Sequence, residues 1–246
     1  MSKGAKLTTL LISLTILFMA ALMSGVIKSS HWEIENINIR AEFKRVNSEQ
    51  IRIVVASQTE RSFFKVNPDE IRDELSNIPW VQKVSVNKKW PNSLIVTLIE
   101  HKAVATWNGN KLLNEYGEIF EVDRFDDLSA IPKIHGNDND SQQIWDKYVR
   151  FNEIVKKTGL DITSSSISNR GGWQLELSNG IDINLGSQQM DAKLVRLTDT
   201  WTKLLNLKEQ QPIYIDLRYT NGYVVKWPQI ELENSEQETN TGTLNG

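Results

Sequence analysis

The sequence predicts an α+β protein: a single N-terminal transmembrane helix, then a small β-α-α-β-β unit, then an antiparallel β domain with flanking helices. Three observations carry that prediction. An uncharged apolar run, LTTLLISLTILFMAALMSGVI, stands near the N-terminus; alternating apolar residues and two capped helical stretches follow it; Asn-Gly turns punctuate the remainder.

The apolar run extends from Leu7 to Ile27, and a helix needs about 20 such residues to cross the hydrocarbon core. Lys3 and Lys6 precede it and Lys28 follows. No small-x-small pair marks a cleavage site, so an uncleaved anchor is favoured over a cleaved signal. The lysines on the leading arm predict that residues 1–6 stay in the cytoplasm and that the chain after Ile27 lies outside.

In WEIENINIRAEF, Ile34, Ile37 and Ile39 fall mostly on alternate positions, a strand pattern. Asn47, with Gln50 three residues later, opens a helix whose Ile51, Val54 and Val55 share a face. A second helix starts more sharply, with Asn67 as cap, Pro68 in the first turn and Glu70 completing a capping box. Ile71 and Leu75 line its buried face and Pro79 stops it. Val84 and Val86, then Leu94, Val96 and Leu98, alternate on either side of a Trp90-Pro91-Asn92 turn.

After Trp107 the pattern becomes one of hairpins, at Asn108-Gly109, Tyr116-Gly117, Asn179-Gly180 and Asn221-Gly222. Two amphipathic helices interrupt them. One carries Ile144, Tyr148, Phe151 and Val155, with Lys156 and Lys157 in its last turn and Gly159 as its stop; the other carries Met190, Leu194, Leu197, Trp201 and Leu204. From Glu231 onward the chain has four Glu and no Lys or Arg, and it is predicted to be disordered.

Composition narrows the chemistry. The balance of 28 Lys+Arg against 31 Asp+Glu gives a formal charge of −3 and no basic footprint for nucleic acid. With no cysteine, disulfides, thiol nucleophiles, cysteine zinc sites and iron-sulfur ligation are excluded. The three histidines, His31, His101 and His135, have no HExxH-type spacing. Gly136 to Ser141 lacks the ligand order of a calcium loop, Asp123, Asp126 and Asp127 read as a solvated turn, and Ser164 to Ser166 sit in no nucleophile motif. His101 reads as structural. The prediction is therefore no catalytic residue, no cofactor, no metal and no small-molecule substrate, in favour of a binding role. The rival from another class, a membrane-tethered periplasmic enzyme, requires a pocket with converging carboxylates or histidines.

The stretch IYIDLRYTNGYVVKWP, Ile213 to Pro228, reads as two short strands around a turn. Gly222 to Trp227 offers an open edge that Pro228 terminates. A free edge of this kind suits strand addition by a partner.

The segment IPWVQKVSVNKKWPNSLIVTLIEHKAVATW, Ile78 to Trp107, closely resembles the FtsQ/DivIB family of bacterial cell-division proteins. The likeness continues through WQLEL, Leu185-Gly186, KLVRL and YIDLRYTNGYVVKW. The resemblance implies an essential scaffold of the divisome and not an enzyme, held in the inner membrane by a single span at residues 7–27 and acting at the division septum. It implies a POTRA domain at residues 32–100 that meets other divisome proteins, a β domain at 101–230, and a tail at 231–246. It further implies that the end of the β domain binds FtsB, which travels with FtsL, and so links early and late division proteins. By position, the resemblance assigns that contact to Arg170, Arg218, Tyr219, Asn221, Gly222, Tyr223 and Trp227. Two alternatives stand beside it: Arg218 paired with Asp216, and Tyr219 and Trp227 as half-buried sheet aromatics. The runner-up reading is a POTRA-type chaperone module of a secretion or assembly system, which would ordinarily accompany a membrane barrel that this chain's strand pattern does not provide.

Overall fold

The computed structural model describes residues 3–23, 33–41, 44–59, 63–123 and 130–229. Helix α1 runs Lys3–Met23. Its described side chains, Leu7 to Ala20, are all exposed. The Ser13 hydroxyl donates to the Leu10 carbonyl and the Thr15 hydroxyl to those of Leu11 and Ile12, so these polar groups are satisfied within the helix. Among the described residues no helix is long and apolar enough to cross a membrane. The expected span continues to Ile27, and residues 24–27 lie outside the described part, as does the tail from 231.

The chain divides into two compact units between Lys102 and Ala103. In the first, β1 (Asn36–Arg40), α2 (Ser48–Thr59), α3 (Pro68–Ser76), β2 (Val81–Lys89) and β3 (Ser93–Glu100) follow the expected β-α-α-β-β order. The three-stranded sheet has the order β1-β3-β2, with β1 parallel and β2 antiparallel to β3. Ile51 and Val55 of α2 and Ile71 and Leu75 of α3 bury against Val84, Leu94, Val96 and Leu98 of the sheet. Each such side chain contributes about 1.5–3 kcal/mol of burial free energy.

The ends of these helices are tied by polar side chains. The Asn67 carbonyl oxygen accepts from the Asp69 N–H at 3.0 Å, while its amide donates to Glu70 at 3.2 Å. Glu70 thus engages the cap residue's side chain, where a capping box would engage its backbone. Asn47 caps α2 in the same way, accepting from the Glu49 N–H at 2.9 Å. Glu100, at the end of β3, accepts from the backbone N–H groups of Lys44, Arg45 and Val46, the last at 3.0 Å. That carboxylate is committed to the backbone ahead of α2.

The second unit holds β4 (Ala103–Trp107), β5 (Lys111–Asn114), β6 (Ile119–Phe120), β7 (Lys133–His135), α4 (Ser141–Val155), β8 (Ile162–Ile167), β9 (Trp173–Leu177), β10 (Asp182–Gly186), α5 (Met190–Leu205), β11 (Tyr214–Asp216) and β12 (Val224–Lys226). The nine strands form one sheet in the order β12-β11-β10-β9-β8-β7-β4-β5-β6. The expected antiparallel sheet is corrected here: β4 with β7, β7 with β8, and β10 with β11 are parallel pairs, so the sheet is mixed. Two of the three parallel pairs, β7 with β8 and β10 with β11, follow from the two helices, while β4 and β7 are joined through the β5–β6 hairpin. α4 lies between β7 and β8 and α5 between β10 and β11, and a helical crossover returns the chain to the end from which the first strand began.

Hairpin chemistry is met where the chain doubles back directly. Asn108 and Gly109 have φ of 51° and 85°, and Gly180 has 82°, all in the left-handed region. Asn221-Gly222 differs: no left-handed φ occurs there, and residues 217–223 form a longer connection between β11 and β12.

Across the sheet, Trp107, Ile134, Ser165, Leu175, Ile183, Ile215 and Val225 fall in one register row. Apart from Ser165 they share a core with Ile144, Tyr148, Phe151 and Val155 of α4 and Leu194, Leu197, Trp201 and Leu204 of α5. The adjacent row, Lys133, Ser164, Glu176, Asp182, Tyr214 and Lys226, projects to the opposite face, as period-two alternation requires. One face is therefore apolar and covered, and the other is polar from β7 to β12 but carries buried Leu112 and Phe120 at its β5–β6 end.

Candidate interaction edge

β12 is the terminal strand of the nine-stranded sheet, paired on one side only, with β11. Tyr223, Val225 and Trp227 pack inward against the core, whereas Val224 and Lys226 are exposed. This alternation fixes the strand's rotation, and among the described residues no strand neighbours its outer backbone edge.

The connection 217–223 is held by α5. Lys193, buried despite its charge, donates to the Arg218 carbonyl at 3.3 Å. Arg196 donates to the carbonyls of Thr220 at 2.7 Å, Tyr219 at 3.3 Å and Gly222 at 3.5 Å. One turn further on, the Thr200 and Tyr223 hydroxyls share a hydrogen bond of 2.7 Å. Cationic donors from one helix thus satisfy the turn's carbonyls. The Tyr219 ring is left 54% exposed.

Arg218 makes the intrachain pair that the sequence offered as an alternative. Its guanidinium donates to both oxygens of Asp216, at 3.0 and 2.7 Å, and its backbone N–H adds a third contact at 3.0 Å. The hydrogen bonds from Arg218 hold the buried Asp216 carboxyl below the usual carboxylate range, and the Asp216 carboxylate raises the Arg218 guanidinium above its ordinary value. The Arg218 stem lies over Gly186, whose φ is +74°; a Cβ there would sit 3.2 Å from Arg218 Cγ.

Register places the remaining residues. Trp173 faces Gly186 across β9 and β10, and Asp216 faces Val224 across β11 and β12. The β8–β9 turn bearing exposed Arg170 therefore lies at the same end of the sheet as Gly186, Arg218 and the start of β12. Trp227 lies at the opposite end of β12, with the Lys208 ammonium 5.2 Å from its ring centroid. Arg218, Tyr219, Asn221, Gly222 and Tyr223 are gathered in or beside one connection; Trp227 is not.

Sequence reading missed Lys193, Arg196 and Thr200, the residues that set the connection in place. The available signal was their three-four spacing, a polar stripe bordering the apolar stripe of α5.

Elsewhere, a cleft of about 870 Å³ is lined by Asn108, His135, Asp140, Gln143, Lys147 and Ser168 among others. The Asn108 amide is committed to Gly136 and Asp138. Among the described residues no group of three or more acidic or histidine side chains could hold a metal.

A three-stranded β-α-α-β-β unit precedes a larger mixed sheet, and residues 33–101 match the FtsQ-type POTRA domain, so the chain is a POTRA-bearing protein. Residues 105–218 match the C-terminal domain of the cell-division protein FtsQ/DivIB. The chain belongs to the FtsQ/DivIB family of cell-division proteins. It is 32% identical over 226 residues to cell division protein FtsQ of Xanthomonas campestris pv. campestris, covering 92% of this chain and 80% of that protein. Against FtsQ of Shewanella oneidensis it is 32% identical over 79% of this chain and 74% of the relative. Against FtsQ of Aliivibrio fischeri it is 26% identical over 95% and 91%.

Proposed function

We propose that this chain is a non-catalytic scaffold of the divisome that recruits FtsB, and with it FtsL, by accepting a strand on the outer edge of β12. In this reading residues 7–27 span the inner membrane, residues 1–6 lie in the cytoplasm, and the POTRA domain at 32–100 and β domain at 101–230 face the periplasm at the septum. Residues 231–246 form a tail beyond the docking strand, and the POTRA domain engages other divisome proteins.

The observation that carries the proposal is the edge of β12, unpaired among the described residues, beside a connection whose carbonyls α5 holds in place. Strand addition takes affinity from main-chain hydrogen bonds and specificity from alternate side chains. A preformed connection lowers the ordering cost of binding. Exposed Tyr219 supplies an aromatic anchor, while Arg170 presents a cation at the same end of the sheet. Arg218 contributes through Asp216, which sets its guanidinium.

The test is titration of the full chain in nanodiscs with a peptide from the extracytoplasmic end of the same cell's FtsB. Tyr219→Ala is expected to weaken binding by about 2 kcal/mol, roughly 30-fold in Kd. Val225→Pro, which removes an N–H that points away from β11 on the outer edge of the docking strand, is expected to abolish it. Circular dichroism checks that both variants remain folded. Saturable wild-type binding that neither folded variant alters would sink the edge-docking mechanism.

A further inference from the structure

We propose that the tip of the β2–β3 hairpin, with the adjoining turn at Phe63 to Lys65, is a foot that rests on the anionic surface of the bilayer. The inference rests on the reading that α1 and the residues after it anchor the chain. Two large aromatic rings project into solvent at this tip: Trp90 is 68% exposed and Phe64 67%. Phe64 packs edge-on against Phe63 at 5.6 Å, and the ammonium of Lys88, two residues before Trp90, lies 5.4 Å from the Phe63 ring centroid.

The composition of the patch matches a water–lipid interface. Lys65, Lys88 and Lys89 adjoin the aromatics in the chain, and all but half-buried Lys88 are exposed. Trp and Phe rings gain from the headgroup layer while ammonium groups gain from anionic lipid phosphates. Among the nearby carboxylates, Glu35 accepts the Asn92 amide at 2.7 Å, Glu70 accepts the Asn67 amide, and Asp69 pairs with Arg72.

Chain connectivity supplies the occupant. The polypeptide coming from α1 joins the first unit at this same tip: the N–H groups of Glu35 and Asn36 donate to the Asn92 carbonyl at 3.0 and 3.3 Å, and Asn36 pairs with Ser93. Between Met23 and Glu33 lie nine residues, which span at most about 35 Å. An anchored α1 therefore keeps the hairpin tip within reach of the headgroups, at an effective concentration no free partner matches.

Because the chain has no cysteine, a single environment-sensitive fluorophore can be carried on Phe64→Cys, with Glu74→Cys on the exposed side of α3 as control. The full chain is reconstituted in nanodiscs of phosphatidylcholine with or without phosphatidylglycerol. The expected result is a blue shift and a several-fold rise in emission at position 64 in the anionic discs, with position 74 unchanged. Adding Lys88→Gln or Lys89→Gln is expected to lower the contacting population about fivefold per lysine, and molar salt to do the same. A chain retained in the discs whose position 64 stays as aqueous as position 74 overturns the foot and leaves the patch to a protein partner. A chain that the discs do not retain overturns the anchor reading, and this inference with it.

Discussion

At the scale of single residues, the most consequential pair is Asp216 with Arg218. Asp216 ends β11 in a buried position, and its charge is tolerated because Arg218 meets both carboxylate oxygens while Lys193 stands nearby. The sign of its pH dependence follows. The folded carboxyl titrates below its unfolded value of about 3.9, so its stabilisation is complete above that value and is lost as pH falls through the lower, folded one. Asp216→Asn is expected to cost about 1 kcal/mol at neutral pH, a modest figure because Arg218 is largely solvated. Urea midpoints followed from pH 7 to pH 2 should show the gap between variant and wild type closing at the acid end. A gap independent of pH would mean that the pair contributes through packing. Gly186 belongs to the same device, since the Arg218 stem occupies the space a Cβ would need.

At the scale of elements, α5 is both a core helix and a clamp. Leu194, Leu197, Trp201 and Leu204 fill the core, and the neighbouring stripe of Lys193, Arg196 and Thr200 holds the β11–β12 connection. Arg196→Met keeps most of the side-chain packing and removes the guanidinium donors. It is expected to destabilise the fold by about 1–2 kcal/mol and to speed hydrogen exchange at residues 219–223 while exchange in β8 and β9 stays unchanged. Unaltered exchange in the connection would show that it holds its shape without the clamp. Much of this level was legible in advance: the 3.6-residue stripes of α4 and α5 and the Asn108-Gly109 and Asn179-Gly180 turns rest on local chemistry. The connection at Asn221-Gly222 was not, because donors from a helix twenty or more positions away override the short-turn preference of that dipeptide.

At the scale of the whole molecule, family membership and the free edge support a scaffold whose work is to hold partners near a membrane. Anchoring makes a prediction of its own. Leu14→Arg puts a charge in the middle of the apolar run, at a cost of about 2.5–3.5 kcal/mol for a helix-centre position. Retention of the full chain in the membrane fraction after alkaline washing is expected to fall sharply. Retention equal to wild type would remove α1 from the anchoring role.

The sequence by itself determined the elements of the first unit and most of those of the second, β7 and β8 excepted, since apolar periodicity, caps and turn residues act over a few positions and need no distant partner. It also determined the absence of cysteine chemistry and the presence of a strand-turn-strand ending. Tertiary structure alone decided the mixed pairing of β4, β7 and β8, the Arg218–Asp216 pair in preference to a free Arg218, and the clamp from α5. Strand order and ion pairing depend on which distant segments share a buried face, and a linear pattern records that each segment has such a face without recording which segment it will meet.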